Sequence, residues 1–430
     1  MIRKATALSL AAATLFSLSA CGVTETPVST PTPTPSGPSV EAHWDVLETG
    51  APNIANRRYE GYVGELRPAD DYGELVPYIG GEVLSIPPFS TYMYGLATRE
   101  GEIITDPVYF SVKDCRWYDG AGESGSADAL ILSSGEAVEG EDGSSFEIRC
   151  GLCAADGSWY TGQCFSGVPL QSRCGALCLE PDGAVAMLGW DGAELWRWEA
   201  GALPLEDFAE HALYLSSSDC AGDYLVYDAA YLRGEESAPS YIDLRNGRVY
   251  ADKPAGFVWP PAEEPLPFGA EEYAGGLYTI EDGLVTIEPD SDGSYTFAVP
   301  EGPGGFYLSI NGDRVIFHFY GDASVLTDLD GNELKRWEDD LWDFMGQPNP
   351  FTPSLIARNE VVPGEDGEPR IVYTVYDRDG NVVADNCSFA WQYLDRLCLV
   401  EDDCYRLTDL EGNDLIRLSR WITADIQAEE

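Results

Sequence analysis

Much of the chain is written in short runs where apolar and polar residues alternate, interrupted by Asp-Gly or Asn-Gly pairs: RVIFHFYG, SVLTDLDG, IVYTVYDRDG, LCLVEDDCYRLTDLEG. A period of two sends one set of side chains to a core and the other to water, which predicts strands of half-buried sheets. Asp-Gly occurs ten times and Asn-Gly twice. Tight hairpins need positive φ at the turn, which Gly accepts freely and Asp or Asn tolerates. Helical periodicity is almost absent, with short turns around Pro204 to His211 and Asp339 to Met345 as the candidates.

Aligning one hairpin glycine per unit gives the series Gly101, Gly157, Gly192, Gly247, Gly293, Gly331, Gly380 and Gly412, spaced 32 to 56 residues apart. Four-stranded propeller blades repeat at roughly 40 to 50 residues. The pattern therefore predicts an all-β fold, a β-propeller of about eight four-stranded blades. Seven is the alternative, because the Gly101 unit is hard to separate from the segment before it. A pair of β-sandwiches fits less well, since the repeat persists with no obvious linker. The shortest interval, up to Gly412, holds four strands: NVVAD, SFAWQYL, RLCLVE and CYRLTDL. The interval before Gly331 parses as YTFAV, FYLSI, RVIFHF and SVLTDL. SSGEAVEGEDGSS and KPAGFVWPPAEEPLPF read as loops inserted in the longer intervals. Radial closure leaves few long strand edges to aggregate.

The first 20 residues have a different character. Arg3 and Lys4 precede an apolar stretch from Ala5 to Leu18, as in a secretory signal peptide, and Leu18-Ser19-Ala20-Cys21 resembles the lipobox of bacterial lipoproteins. That resemblance implies lipidation of Cys21 and a mature protein held at the outer side of the cell membrane; two or more acyl chains anchor durably where one does not. Residues 21–42 join Cys21 to a Thr/Pro-rich semi-extended linker, and residues 43–425 carry the propeller.

Charge narrows the partners. The 430 residues include 74 acids against 25 Lys and Arg, for a formal net charge of −49. Such a field repels phosphate backbones and excludes nucleic acid. It serves either as a solvated exterior or as an attractor of cations. With 11 Trp and 12% aromatic residues the chain has a core to fill.

The run Tyr94-Gly95-Leu96-Ala97-Thr98-Arg99-Glu100-Gly101-Glu102-Ile103-Ile104-Thr105-Asp106-Pro107-Val108-Tyr109 resembles a WG repeat, with Tyr94 in place of the Trp. The resemblance covers about 20 residues, and it implies a repeat-built β protein of the kind found among bacterial surface lipoproteins, with no assigned chemistry. GAELWRW at Gly192 and GNELKRW at Gly331 resemble the packing portion of quinoprotein propeller repeats. No cofactor constellation accompanies them, and no cofactor is expected.

Candidate chemistry is sparse. Glu288-Pro289-Asp290-Ser291-Asp292-Gly293 matches the opening of an EF-hand loop, but Val299 stands where a bidentate Glu belongs. The sialidase Asp box is missing, and no carboxylate pair stands out among so many acids for glycoside hydrolysis. Histidine is limited to His43, His211 and His318; His318 lies within a strand, and no Gly-x-Ser-x-Gly or His-Glu-x-x-His motif occurs. Cys150, Cys153, Cys164, Cys174 and Cys178 fall close together and fit either disulfides and buried thiols or a zinc site. Cys398 and Cys404 are the clearest disulfide pair, facing each other across a turn centred on Glu401. Trp196 and Trp198, two apart on a strand, share a face and could stack a ligand or fill inter-blade space.

The function expected is a lipid-anchored extracytoplasmic binding or interaction module without catalysis, with an envelope protein or glycan as partner and the membrane reached through Cys21. A carbohydrate hydrolase at the mouth of the propeller channel, or an envelope assembly scaffold, is the alternative.

Overall fold

The computed structural model describes residues 66–423, apart from 70–71, 87–88, 119–123, 141–142, 206, 229–238, 256, 258–269, 274, 291–292, 321–322, 340–341, 346–353, 365–368 and 420–421. The chain divides into residues 1–42 and 43–430, and the described residues all belong to the second unit. The signal peptide, Cys21, the Thr/Pro linker and His43 lie outside them.

Eight sheets follow one another along the chain. Seven are four-stranded antiparallel meanders: Ser111–Tyr118 to Phe165–Ser166, Leu170–Ser172 to Glu194–Trp198, Cys220–Ala221 to Arg248–Tyr250, Ala270–Tyr273 to Tyr295–Ala298, Phe306–Asn311 to Glu333–Trp337, Trp342–Phe344 to Val382–Cys387, and Phe389–Tyr393 to Asp414–Ser419. These are blades 2 to 8. Blade 1 is composite. Its strands Leu75–Ile86 and Phe89–Thr98 pair antiparallel, while Ile422–Thr423, from the far end of the chain, adds in parallel beside Glu82 and Val83. Isolated bridges from Tyr94 to Tyr109 and from Ala97 to Ile103 supply its outer edge.

The hairpin glycines explain how the sheets assemble. Each aligned glycine sits at the corner between the third and fourth strand, and all eight have positive φ. A Cβ on Gly331 would lie 2.6 Å from Phe297 of blade 5, one on Gly380 2.8 Å from Lys335 of blade 6, and one on Gly412 3.0 Å from Val383 of blade 7. In blades 6, 7 and 8 the corner is thus seated on the outer strand of the blade before it. The series also closes on itself: Gly101 of blade 1 would bring a Cβ to 2.7 Å from the carbonyl of Leu415 in blade 8. Tyr94 of blade 1 meets Trp391 of blade 8 edge-on at 5.6 Å. Eight sheets packed face to face, with the last on the first, form a β-propeller, and the count is eight rather than seven.

Buried apolar layers fill the spaces between sheets. Ile131, Leu152 and Phe165 of blade 2 meet Ala176 and Leu188 of blade 3; Val285 and Ile287 of blade 5 meet Val315 and Phe317 of blade 6; Ile316, Leu326 and Trp337 of blade 6 meet Ile356 of blade 7. Alternation makes this possible, because each strand shows one side-chain set to the preceding blade and the other to the following one.

The four-strand partitions read around Gly412 and Gly331 agree with the observed strands. Two local expectations change. Phe208–His211 is helical, but Trp342–Phe344, in the segment expected to turn helically, is the first strand of blade 7, where its backbone pairs with Ile356 to Arg358. SSGEAVEGEDGSS is no loop: it belongs to a hairpin of strands Ser124–Gly140 and Gly143–Ala154.

Candidate interaction faces of the disk

Because every blade is a meander, its first and third corners open on one face of the disk and its second on the other. The first of these faces is locked. At Asp328, Asp377 and Asp409 the same turn is built three times. Oδ1 of Asp328 accepts from the amides of Asp330 (3.0 Å) and Asn332 (2.8 Å), Oδ2 accepts from Nδ2 of Asn332 (2.8 Å), and the Gly331 amide donates to the Asp328 carbonyl (3.1 Å). Asp377 and Asp409 repeat the pattern with Asn381 and Asn413. The signal was present in the sequence as Asp-x-Asp/Glu-Gly-Asn, a turn ended by a left-handed glycine. At Asp243 of blade 4 a related turn uses charge. The side-chain hydrogen bonds of Arg245, at 2.8 Å, hold the Asp243 carboxyl below the usual carboxylate range.

Arginines fasten these corners across blades. Arg314, opening the second strand of blade 6, donates to the Arg378 carbonyl of blade 7 (2.9 Å) and pairs with Asp379 (2.9 Å); Arg378 answers by pairing with Asp313 (2.6 Å). The closure of the ring uses the same residue types. Arg396 of blade 8 donates to the Arg99 carbonyl of blade 1 (2.9 Å), and Arg99 answers by pairing with Asp395.

The opposite face extends into solvent. In blade 2 the second and third strands pair as far as Gly140 opposite Gly143, while the first strand ends opposite Ser133 and the fourth reaches only Arg149. Gly135–Gly140 and its partner therefore stand as a two-stranded ribbon of six residues, on the order of 20 Å at about 3.3 Å per residue. Blade 7 has a shorter ribbon, Glu360 to Pro363 against Pro369 to Val372. There Val361 and Ile371, directly opposite one another, are 67% and 52% exposed. In blade 1 the hairpin runs on past Val83, where the last strand stops, to Ile86 opposite Phe89. All three are second corners, so all three project from the same face.

The remaining candidate residues fall in the body of the disk. Trp196 and Trp198 pack between blades 3 and 4. Their indole nitrogens donate to the carbonyls of Leu244 (2.7 Å) and Gly247 (3.1 Å), so the pair forms the seat of the next blade's corner. Cys398 and Cys404 do not face each other. The turn has Glu401 opposite Cys404 and Cys398 opposite Leu407, which puts the two thiols on opposite faces of the sheet. Cys398 donates to the Pro77 carbonyl toward blade 1, and Cys404 to the Glu401 carboxylate. Glu401, Asp403 and Cys404 come together with metal-ligand spacing, but Arg406 occupies the Glu401 carboxylate at 2.6 Å. Burial pushes the Cys404 thiol up to about 12, so it is a neutral donor.

Cys150 and Cys153 are three apart on one strand, and so they too part to opposite faces. Cys150 joins Cys115 and Cys178 in the layer between blades 2 and 3, while Cys153 faces away. Burial raises Cys150 to about 11 and Cys115 to about 12. His211 shares a hydrogen bond with the Tyr227 hydroxyl (2.8 Å). His318, 1% exposed, holds Ser309 Oγ at 3.0 Å through Nε2. Glu288 and Pro289, from the EF-hand-like run, end a strand.

No family model and no curated protein matches the sequence. Among solved structures the chain is similar to BamB from Moraxella catarrhalis, at 13% identity over 83% of this chain and 94% of that one with a TM-score of 0.22. It is also similar to Hsv2p of Kluyveromyces lactis, at 12% identity over 71% and 95% with a TM-score of 0.23. A third is the C-terminal WD40 domain of Sif2, at 13% identity over 84% and 98% with a TM-score of 0.23.

Proposed function

We propose that the protein is a noncatalytic binding module, exported and lipid-anchored through Cys21, that captures an envelope partner on the ribbon face of its propeller. The observation that carries this reading is the asymmetry of the disk: one face is tied down by turns and arginines, while the other extends paired backbone that, among the described residues, no neighbouring strand covers. Two-stranded ribbons carry free N–H and C=O edges, which a partner strand can complete. An exposed Val361–Ile371 pair on such an edge supplies the apolar contact that edge pairing lacks. The leader, the lipobox-like Leu18 to Cys21 and the Thr/Pro spacer support the location.

The test is capture from detergent-solubilised envelopes with the full chain, compared with a variant whose blade 2 ribbon, Gly135 to Ile148, is replaced by a two-residue turn. One stoichiometric partner retained by the wild type and lost by the variant is the expected result. Equal capture by both would remove the ribbon face from the account. Labelled palmitate should enter the wild-type protein and fail to enter Cys21→Ser.

A further inference from the structure

Three segments converge on the ribbon face at blade 3, whose strands are only three to five residues long. The chain enters this blade through Gly167 to Pro169, makes its second corner between Leu179 and Val185, and leaves through Glu199 to Asp219. In a meander the second corner and both connections to neighbouring blades fall on one side, so all three segments lie on the face that carries the ribbons. They enclose a depression. Val168 of the entering segment, Leu179 and Val185 of the corner, and Leu213 of the leaving segment line it, with the buried Leu170 and Leu177 as its floor. It holds about 260 Å³, part of it open to solvent, which is less than the roughly 300–1,000 Å³ of small-molecule sites. That is room for an apolar side chain rather than for a whole ligand.

The apolar lip of this depression is exposed and held in place. Val168 and Leu213 each keep 50% of their surface in water, and Tyr214 keeps 66%. Leu213 lies over the entering segment, since a Cβ on Gly167 would stand 2.5 Å from its Cδ2. The leaving segment is pinned by Phe208, fully buried and edge-on to Trp198 at 5.3 Å and to Tyr227 at 4.9 Å. Around the lip the charge has one sign. Glu199 to Asp219 contains no Lys or Arg; its Glu199, Asp207 and Glu210 are exposed, as is Asp182 of the corner. The guanidinium of Arg197, on the outer strand of the blade, is held by Glu180 at 2.6 Å and Glu194 at 3.1 Å.

We propose that this depression docks a cationic amphipathic segment of a protein partner, with one apolar side chain seated between Val168 and Leu213 and its Lys or Arg residues facing the surrounding carboxylates. A preset apolar pocket inside a charged rim gives such a segment an anchor and a steering field together, and the anchor pays little ordering entropy because Leu213 is already fixed. A second copy of this chain is disfavoured by the repulsion between two bodies of net charge −49, and anionic lipid by the same field. The site shares its face with the ribbons and uses neither of their edges, so it stands apart from edge pairing.

The experiment is fluorescence anisotropy of the full chain with short labelled peptides: one with Leu on one face and Lys on the other, one with Glu in place of the Lys, and one with Ser in place of the Leu. The Leu/Lys peptide should bind, less tightly as salt is raised, and the other two should not. Val168→Ser and Leu213→Ser should weaken that binding about tenfold, in line with truncation at an anchoring pocket, and Tyr214→Ala about threefold. If Leu213→Ser fails to fold, Val168→Ser and Tyr214→Ala decide the matter. Asp182→Asn with Glu210→Gln should flatten the salt dependence. Val361→Ser and the variant lacking the blade 2 ribbon should bind the peptide as the wild type does, so failure here and failure of edge pairing are read separately. The proposal is overturned if no peptide binds, if the Leu/Glu or Ser/Lys peptide binds as tightly as the Leu/Lys one, or if Val168→Ser and Tyr214→Ala bind like the wild type. A dimer in sedimentation that Val168→Ser dissolves, or retention on phosphatidylcholine vesicles that Tyr214→Ala loses, would overturn it in favour of a second copy or a lipid surface.

Discussion

On one face of the disk, corners carry a positive-φ glycine seated on the preceding blade, an acidic residue that accepts the turn's amides, or an arginine that crosses to the neighbour. On the other, hairpins of blades 1, 2 and 7 run past the strands that should flank them. The same strands build both faces. What differs is where their backbone groups find partners: within the ring on the locked face, and only within a hairpin on the ribbon face. Substitutions on the first should therefore act on folding, and those on the second on binding.

The largest effect expected is at the closure. Gly101→Val places a β-branched residue at φ +89° with its Cβ 2.7 Å from a backbone carbonyl that cannot move aside. A left-handed non-glycine residue alone costs roughly 1–2 kcal/mol and the clash adds to it, so denaturant titration should show a loss of about 3 kcal/mol or failure to fold. Arg396→Ala comes next. It removes charge-assisted hydrogen bonds to the Arg99 carbonyl, worth about 1.5–3 kcal/mol when one partner is left behind. If Arg396→Ala is neutral while its counterpart Arg314→Ala destabilises, closure does not depend on the latch.

Acid provides a smaller test. The carboxyl of Asp243 is lowered first by hydrogen bonding from Arg245, and that of Asp223 first by Arg173. A group whose pKa is lower in the folded state stabilises above its unfolded value, near 3.9. That contribution is lost as pH falls through the folded value, because the unfolded chain takes up protons first. Stability measured from pH 5 downward should therefore decline below about pH 4, and Asp243→Asn should flatten the decline. The smallest effect on folding belongs to Val361→Ser with Ile371→Ser: exposed substitutions of this kind stay within about 0.5 kcal/mol, yet partner capture should fall. A loss of stability there would mean that the ribbon is part of the core.

How much of this was legible follows from what each residue signals. A glycine that must adopt positive φ cannot be replaced cheaply, so Gly101 to Gly412 marked every blade in advance, and the alternation between them marked strands such as Arg314–Phe319. Register is harder to read. Cys398 and Cys404 seemed opposite because the turn was centred on Glu401, but Glu401 to Cys404 is itself the turn, and the shift carries the two thiols to different faces. A run such as SSGEAVEGEDGSS hides a ribbon because its Gly, Ser and acidic residues carry no apolar alternation to mark a strand. The parallel addition of Ile422–Thr423 could not be foreseen, because nothing in a two-residue strand names its partner.

That last strand has a consequence for biogenesis. Blade 1 begins near Leu75, yet it is completed by residues almost 350 positions later. A chain made from its N-terminus can finish its middle sheets as they appear, but its opening sheet must wait for Ile422–Thr423. Until those two residues arrive that edge of blade 1 stays uncapped, so closure of the ring is tied to the last sheet and cannot precede it.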